Sequence, residues 1–127
     1  MHENEISKKI IGAAIEVHSI LGPGLLESVY EEALCRELYL RGIEYERQKN
    51  VPIPYKGLTL AAPLRLDLLV ENKVIVDIKA KERSTEIDKS KLLTYLRLSD
   101  LHLGLIINFH KIYLKNGIHR IVNELKE

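Results

Sequence analysis

Leu64-Arg65-Leu66-Asp67-Leu68-Leu69-Val70-Glu71-Asn72-Lys73-Val74-Ile75-Val76-Asp77-Ile78-Lys79-Ala80 is the stretch on which the reading of the whole chain turns. Two apolar runs, Leu64 to Val70 and Val74 to Ala80, flank the short connection Glu71-Asn72-Lys73, the pattern of a hairpin between two central strands. A three-residue loop pairs Val70 with Val74 and carries Asp67 directly opposite Asp77, with Lys79 two residues further along the same face. Charges inside apolar runs need a reason, since burying an unpaired charge is costly. Two facing carboxylates repel each other unless a proton or a cation lies between them. A divalent cation with oxygen ligands meets that condition, and two aspartates suit Mg²⁺ or Mn²⁺ better than Ca²⁺ or Zn²⁺. Lys79 would then lie beside a metal-bound water or a phosphate, a layout for metal-assisted phosphodiester hydrolysis. Spacing alone leaves a second reading open, a salt-bridged cluster in which Lys79 compensates both acids.

Upstream, Ile6, Ile10, Ala13, Ala14, Val17 and Leu21 recur at helical steps over residues 5 to 21, and Gly22-Pro23-Gly24 stops that helix. Leu26, Val29, Tyr30, Ala33, Leu34 and Leu38 predict a second helix up to Arg41, with Gly42 as its C-terminal cap. The period then changes to two over Ile43 to Arg47 and again over Val51 to Tyr55, where Pro52 and Pro54 mark an edge or partly paired strand. Tyr55-Lys56-Gly57-Leu58 reads as a turn. Downstream, Ser84 or Thr85 can cap a third helix to about Leu98, with Asp88 in the capping-box position after Thr85. Leu103 to Phe109 reads as a buried strand, and Ile112 to Leu114 and Ile118 to Val122, joined by Lys115-Asn116-Gly117, read as a final hairpin. The order α-α-β-β-β-β-α-β-β-β predicts an α/β fold: a mixed β-sheet core flanked by helices, with an N-terminal helical hairpin and the third helix as a crossover.

The 127 residues, 46% hydrophobic and 29% charged, suit one soluble domain spanning 1–127. The lone Cys35 cannot form an internal disulfide, and no run reaches about 18 apolar residues, so a cytoplasmic protein without a membrane segment is expected. Net charge is +1, but residues 1–50 carry six basic and nine acidic groups against thirteen and nine in residues 51–127, which makes the second half the anion-facing one. With no Trp and one Phe, stacking platforms for single strands are not expected, and duplex or branched DNA is the better candidate partner. His18, His102, His110 and His119 show no metal-ligand spacing, and Ser28 has no triad partners.

The segment Gly24-Leu25-Leu26-Glu27-Ser28-Val29-Tyr30 resembles the signature of the GxxExxY family, a branch of the PD-(D/E)XK nuclease-like superfamily. The resemblance continues through Leu66-Asp67, Val76-Asp77-Ile78-Lys79-Ala80, Leu92-Leu93-Thr94-Tyr95-Leu96, Gly104 to Phe109 and Asn116 to Val122. It implies a restriction-endonuclease-like sheet core and a divalent-metal site in which Glu27 comes from a helix, Asp67 from a strand, and Asp77 and Lys79 from the next strand. Asp67, Asp77 and the Ile78 carbonyl would hold Mg²⁺ or Mn²⁺, Glu27 would assist through a metal water, and Lys79 would position the nucleophile. Glu27 also has a local role open to it: if Gly24 is the N-cap, Glu27 stands at N3 of a capping box.

Two positions depart from the family's pattern. Asp77 stands where the family usually has Glu, and Lys91 where it usually has Gln. Lys91 and Tyr95, one helical turn apart, would contact phosphate or orient Lys79, or Lys91 would instead bind Asp77 and displace the metal. Lys81 and Arg83, with Lys89, extend a basic run beside the site that suits backbone phosphates. Two functions remain in view. One is a metal-dependent deoxyribonuclease; the other is a catalytically inactive nuclease-fold module that binds nucleic acid or a protein partner. A homodimer follows only by analogy with small nuclease folds that use two copies to engage both strands.

Overall fold

The structure is a computed structural model that describes residues 1–83 and 85–127. Helices α1 (Glu3–Leu21) and α2 (Glu27–Leu40) form the expected hairpin. The side chain of His2 caps α1 by accepting the Asn4 N–H, and Ile6, Ile10, Ala13, Ala14 and Val17 form its buried stripe. Gly42, at φ 71°, closes α2: the Ile43 N–H reaches back to the Leu38 carbonyl at 2.9 Å, the bond of a Schellman motif.

Among the described residues seven strands follow: β1 (Tyr45–Val51), β2 (Pro54–Tyr55), β3 (Leu58–Thr59), β4 (Leu64–Val70), β5 (Val74–Lys79), β6 (Leu103–Asn108) and β7 (Ile118–Val122). Helix α3 (Glu86–Ser99) connects β5 to β6. Strands β2 and β3 form a small hairpin across Lys56-Gly57, and the other five form a sheet in the order β1-β4-β5-β6-β7. Only β5 and β6 run parallel, with α3 as the predicted crossover between them. The Thr85–Asp88 capping box that starts α3 is present; the alternative cap, Ser84, lies outside the described residues.

Each face of the sheet has its own core. Leu68, Val70, Val74, Val76, Ile78, Leu103, Leu105 and Ile107 lie under α1 and α2, together with Phe109. Leu64, Leu66, Leu69, Ile75 and Ile106 lie under Leu92 and Leu96 of α3. β6 is buried along its whole length, which is why its sequence is a continuous apolar run rather than an alternating one.

Three expectations need correction. Strand β1 continues in one register past Gln48 to Val51, so the two alternating runs predicted over residues 43–55 are one edge strand followed by half of the β2–β3 hairpin. Helix α2 starts at Leu26, not Gly24, as N-cap, which puts Glu27 at N1 and removes its capping-box role. The cause is Tyr30: its hydroxyl donates to the Gly22 carbonyl and accepts the Leu25 N–H, which holds Gly22–Leu25 as a loop. Tyr30 therefore packs, stacked on Phe109 with ring centroids 4.6 Å apart.

The third concerns the C-terminal hairpin. Leu114–Gly117 is a single 3₁₀ turn and Ile118–Val122 pairs antiparallel with β6, from Leu103↔Val122 to Ile107↔Ile118. The free edge of a fully buried strand needs hydrogen-bond partners more than an exposed hairpin needs to close. Gly117 is required for a reason other than turn geometry: a Cβ there would stand 2.2 Å from the Asn108 carbonyl oxygen. Both Gly117→Ala and Gly117→Asn should therefore destabilise the fold by about 3 kcal/mol in urea unfolding, through overpacking. A hairpin-turn glycine would tolerate Asn, so a near-neutral Gly117→Asn would contradict this role.

Candidate functional site

Strands β4 and β5 pair at Val70↔Val74, Leu69↔Ile75 and Leu68↔Val76, and then separate. The next rung would place Asp67 against Asp77, as the loop length predicts. In place of a backbone carbonyl, the Asp67 side chain closes the gap: its Oδ2 accepts the Ile78 N–H at 2.9 Å. The Lys79 carbonyl points the other way, accepting the Phe109 N–H at 2.9 Å. Successive carbonyls of a strand point to opposite edges, so the Ile78 carbonyl faces the β4 side, on the same edge as Asp67. Asp77 and Lys79 alternate with Val76 and Ile78, which belong to the core under α1 and α2, and so lie on the α3 side of β5.

The charges are close and poorly hydrated. Lys79 Nζ lies 3.4 Å from Asp77 Oδ1, with side chains 14% and 15% exposed, so their interaction is weakly screened. Burial is the main cause that raises the Asp67 carboxyl to about 6; the Ile78 N–H opposes it, and Asp77, near enough to share a hydrogen bond, adds to it. For Lys79, burial disfavours the ammonium, but Asp77, then Glu27 and Asp88, outweigh it and hold the lysine above its ordinary range. Glu27, exposed at the first turn of α2, is also raised, by partial burial and then by Asp67, against the pull of Lys79. The four residues expected at the site thus form one electrostatic unit.

The residues expected to contact substrate are distributed differently. Lys81 Nζ pairs with Asp88 Oδ2 at 2.6 Å. Although burial opposes it, that pairing and the Thr85 cap hold the Asp88 carboxyl down at about 2. Arg83 is exposed on the segment between β5 and α3. Lys91 does not reach Asp77: its ammonium stands over the Tyr95 ring, 5.4 Å from the centroid. Tyr95 itself is half-buried against the α3-side core. Lys91 thus leaves the acids alone and faces solvent. Arg120 on β7 is tied to Asn4 at the start of α1.

Sequence reasoning overlooked two buried polar residues on the elements that flank this site. Asn108, fully buried at the end of β6, accepts the Lys81 N–H at 3.2 Å and donates to the Lys81 carbonyl at 2.7 Å, clamping the chain just beyond Lys79. Glu31, one turn after Glu27, is buried and accepts from both Arg47 and Gln48. The signal for Glu31 was present, since it sits among Tyr30, Leu34 and Leu38 on the apolar stripe of α2, where a carboxylate needs partners.

The sequence profile of the PD-(D/E)XK nuclease superfamily matches residues 4–121. The chain belongs to the PD-(D/E)XK nuclease superfamily. Members of this superfamily build a mixed sheet flanked by helices, as this chain does, and typically use divalent metals. A solved structure, the crystal structure of SSO0001, is similar at 18% identity and a TM-score of 0.45, over 95% of this chain and 79% of that one. No curated protein matches the sequence. Among the described residues, no helix is long and apolar enough to cross a membrane.

Among the described residues, no three acidic, His or Cys side chains come together to enclose a cation by themselves. The donors at the β4–β5 fork are two carboxylates and a strand carbonyl, all oxygen. That set fits Mg²⁺ or Mn²⁺, which retain waters and are commonly held by one or two carboxylates. It does not fit a structural zinc.

The raised Asp67 carboxyl makes a direct prediction. The folded state keeps a proton that the unfolded aspartate releases near pH 4. This contribution to stability is fully present below about pH 4 and is lost as pH rises through about 6. In metal-free buffer, Asp67→Asn should be more stable than the parent at pH 8 by about 2 kcal/mol, after allowance for partial solvent exposure, and show no such gain at pH 4. Thermal unfolding at the two pH values checks both the size and the sign.

Proposed function

We propose that the chain is a divalent-metal-dependent nuclease that hydrolyses phosphodiester bonds in DNA. The observation that carries this reading is the β4–β5 fork, where Asp67 and Asp77, with the Ile78 carbonyl edge, converge beside Lys79. Asp67, Asp77 and the Ile78 carbonyl would hold Mg²⁺ or Mn²⁺, with Glu27 acting through water. Such a cation supplies Lewis-acid activation of a phosphodiester and a water acidified for attack. Asp67 would accept the cation only after losing its proton, so the folded site is primed to exchange a proton for a metal. Lys79 would hold positive charge against the oxygens of the scissile phosphate and orient the attacking water. Because Asp77 is its present partner, a cation on Asp77 would free the ammonium for that task.

The substrate would be a polymer lying across an open face. The described cavities open elsewhere, at the α2–β1 corner, beside Cys35 and between the two chain termini near His102, while the partly buried acids lie where β4 and β5 part. Lys91 over Tyr95, together with Lys81 and Arg83, would touch backbone phosphates of duplex or branched DNA. Cutting both strands of a duplex would take two such sites, and hence a homodimer.

The second reading, a noncatalytic nucleic-acid or protein-binding module with the nuclease fold, draws on the Lys79–Asp77 ion pair, which already neutralises one acid. Calorimetric titration with Mg²⁺ and Mn²⁺, followed by assays on duplex, nicked and branched DNA, separates the two. The nuclease should bind metal more tightly at pH 7.5 than at pH 5.5, because Asp67 must lose its proton first. Asp77→Asn or Lys79→Gln should lower cleavage by about 10²-fold or more while DNA binding persists. Metal-independent DNA binding with no cleavage in the unmutated protein would establish the module. Lys91→Ala should weaken DNA binding evenly across sequences and reduce the salt slope by about one, as for a single phosphate contact.

A further inference from the structure

Gln48 lies in the middle of edge strand β1 with a left-handed backbone, φ 53°, a conformation that non-glycine residues rarely adopt inside a strand. The β1–β4 ladder keeps one register from Tyr45↔Val70 to Arg47↔Leu68 and from Lys49↔Leu66 to Val51↔Leu64. Its missing rung is Gln48 against Asp67. At that rung β4 also changes sides: Leu64 and Leu66 belong to the α3-side core, whereas Leu68 and Val70 belong to the opposite one. Local breaks of this kind re-aim side chains next to active sites. Here the residue re-aimed is Asp67, whose carboxylate reaches Ile78.

Something must hold Gln48 in this backbone, and its side chain shows what. Gln48 Nε2 donates to Glu31 Oε1 at 2.8 Å, and Arg47 Nε donates to Glu31 Oε2 at 2.7 Å. Both oxygens of a carboxylate that is 7% exposed are thus occupied by consecutive β1 residues. Glu31 lies on α2 one turn from Glu27, so the same anchor fixes the helix that carries the third acid.

We propose that Glu31 and Gln48 are positioning residues for the acid cluster. Glu31 holds the Gln48 side chain, the left-handed Gln48 opens the β1–β4 ladder at Asp67, and the freed Asp67 takes the Ile78 N–H. The catalytic consequence rests on the nuclease reading above; the structural part does not.

Hydrogen exchange at the Ile78 amide, measured against Val76 on nitrogen-15-labelled protein, reads the structural part. Gln48→Gly, which adopts a positive φ without strain, should keep Ile78 protection within about threefold of the parent. Gln48→Val, whose branched Cβ excludes that backbone, should lower Ile78 protection about tenfold or more relative to Val76. Glu31→Ala should act like Gln48→Val in the parent and have little further effect in the Gln48→Gly background, so the inference stays testable if Gln48→Val fails to fold. In DNA cleavage, Gln48→Val should lose about 10²-fold in kcat at unchanged KM, and Gln48→Gly should be rescued. Unchanged Ile78 protection in Gln48→Val and in Glu31→Ala, or a uniform loss along β5, would overturn the proposal. Absence of cleavage in the parent would overturn the nuclease reading alone, and the exchange measurement would still decide this one.

Discussion

One hydrogen bond carries the architecture of the site: the Asp67 carboxylate accepts a backbone N–H of β5 where a β4 carbonyl would ordinarily stand. A sheet cannot leave Ile78 unpaired in a buried position without a cost of about 1–3 kcal/mol. By using a side chain for the purpose, the fold lets β4 and β5 part while the donor stays satisfied. Where the strands part, the Ile78 carbonyl faces the β4 side and the Asp77 carboxylate comes close to that of Asp67. Everything charged in the neighbourhood follows from this substitution.

The electrostatic result is a site short of positive charge. The Asp67 carboxylate faces two others, Glu27 on one side and Asp77 on the other, and Lys79 is the cation set most deeply among them. Lys81 is drawn off by Asp88 into the cap of α3, and Lys91 stands over Tyr95. The remaining deficit is met by a proton on Asp67 at mildly acidic pH, and a divalent cation is the natural replacement near neutrality. Lys91 therefore does not neutralise the acids; its charge faces solvent on α3.

Much of this was legible in the chain. The three-residue loop, a local property, brought Asp67 and Asp77 to the same end of the β4–β5 pair, but the rung that would oppose them is not formed. The α3 start followed from Thr85 and Asp88, again within one turn. What stayed hidden depends on contacts between distant segments. The start of α2 is set by the Tyr30 hydroxyl folding back onto Gly22 and Leu25, and the pairing of β7 by the unmet edge of β6. Gly117 looked like a turn residue because its clash partner, the Asn108 carbonyl, is nine positions away along the chain. The left-handed Gln48 could not be read from its neighbours at all, since the carboxylate that holds it comes from a helix seventeen residues earlier.

The central claim is that the β4–β5 fork is a divalent-cation site. Paramagnetic broadening by substoichiometric Mn²⁺ in the nitrogen-15 spectrum of the DNA-free protein tests it most directly. The account predicts selective loss of the Asp67, Asp77, Ile78 and Lys79 amide signals, with Glu44, Glu71 and the C-terminal residues unaffected. Broadening confined to other acidic surface residues, or spread evenly over the protein, would contradict it.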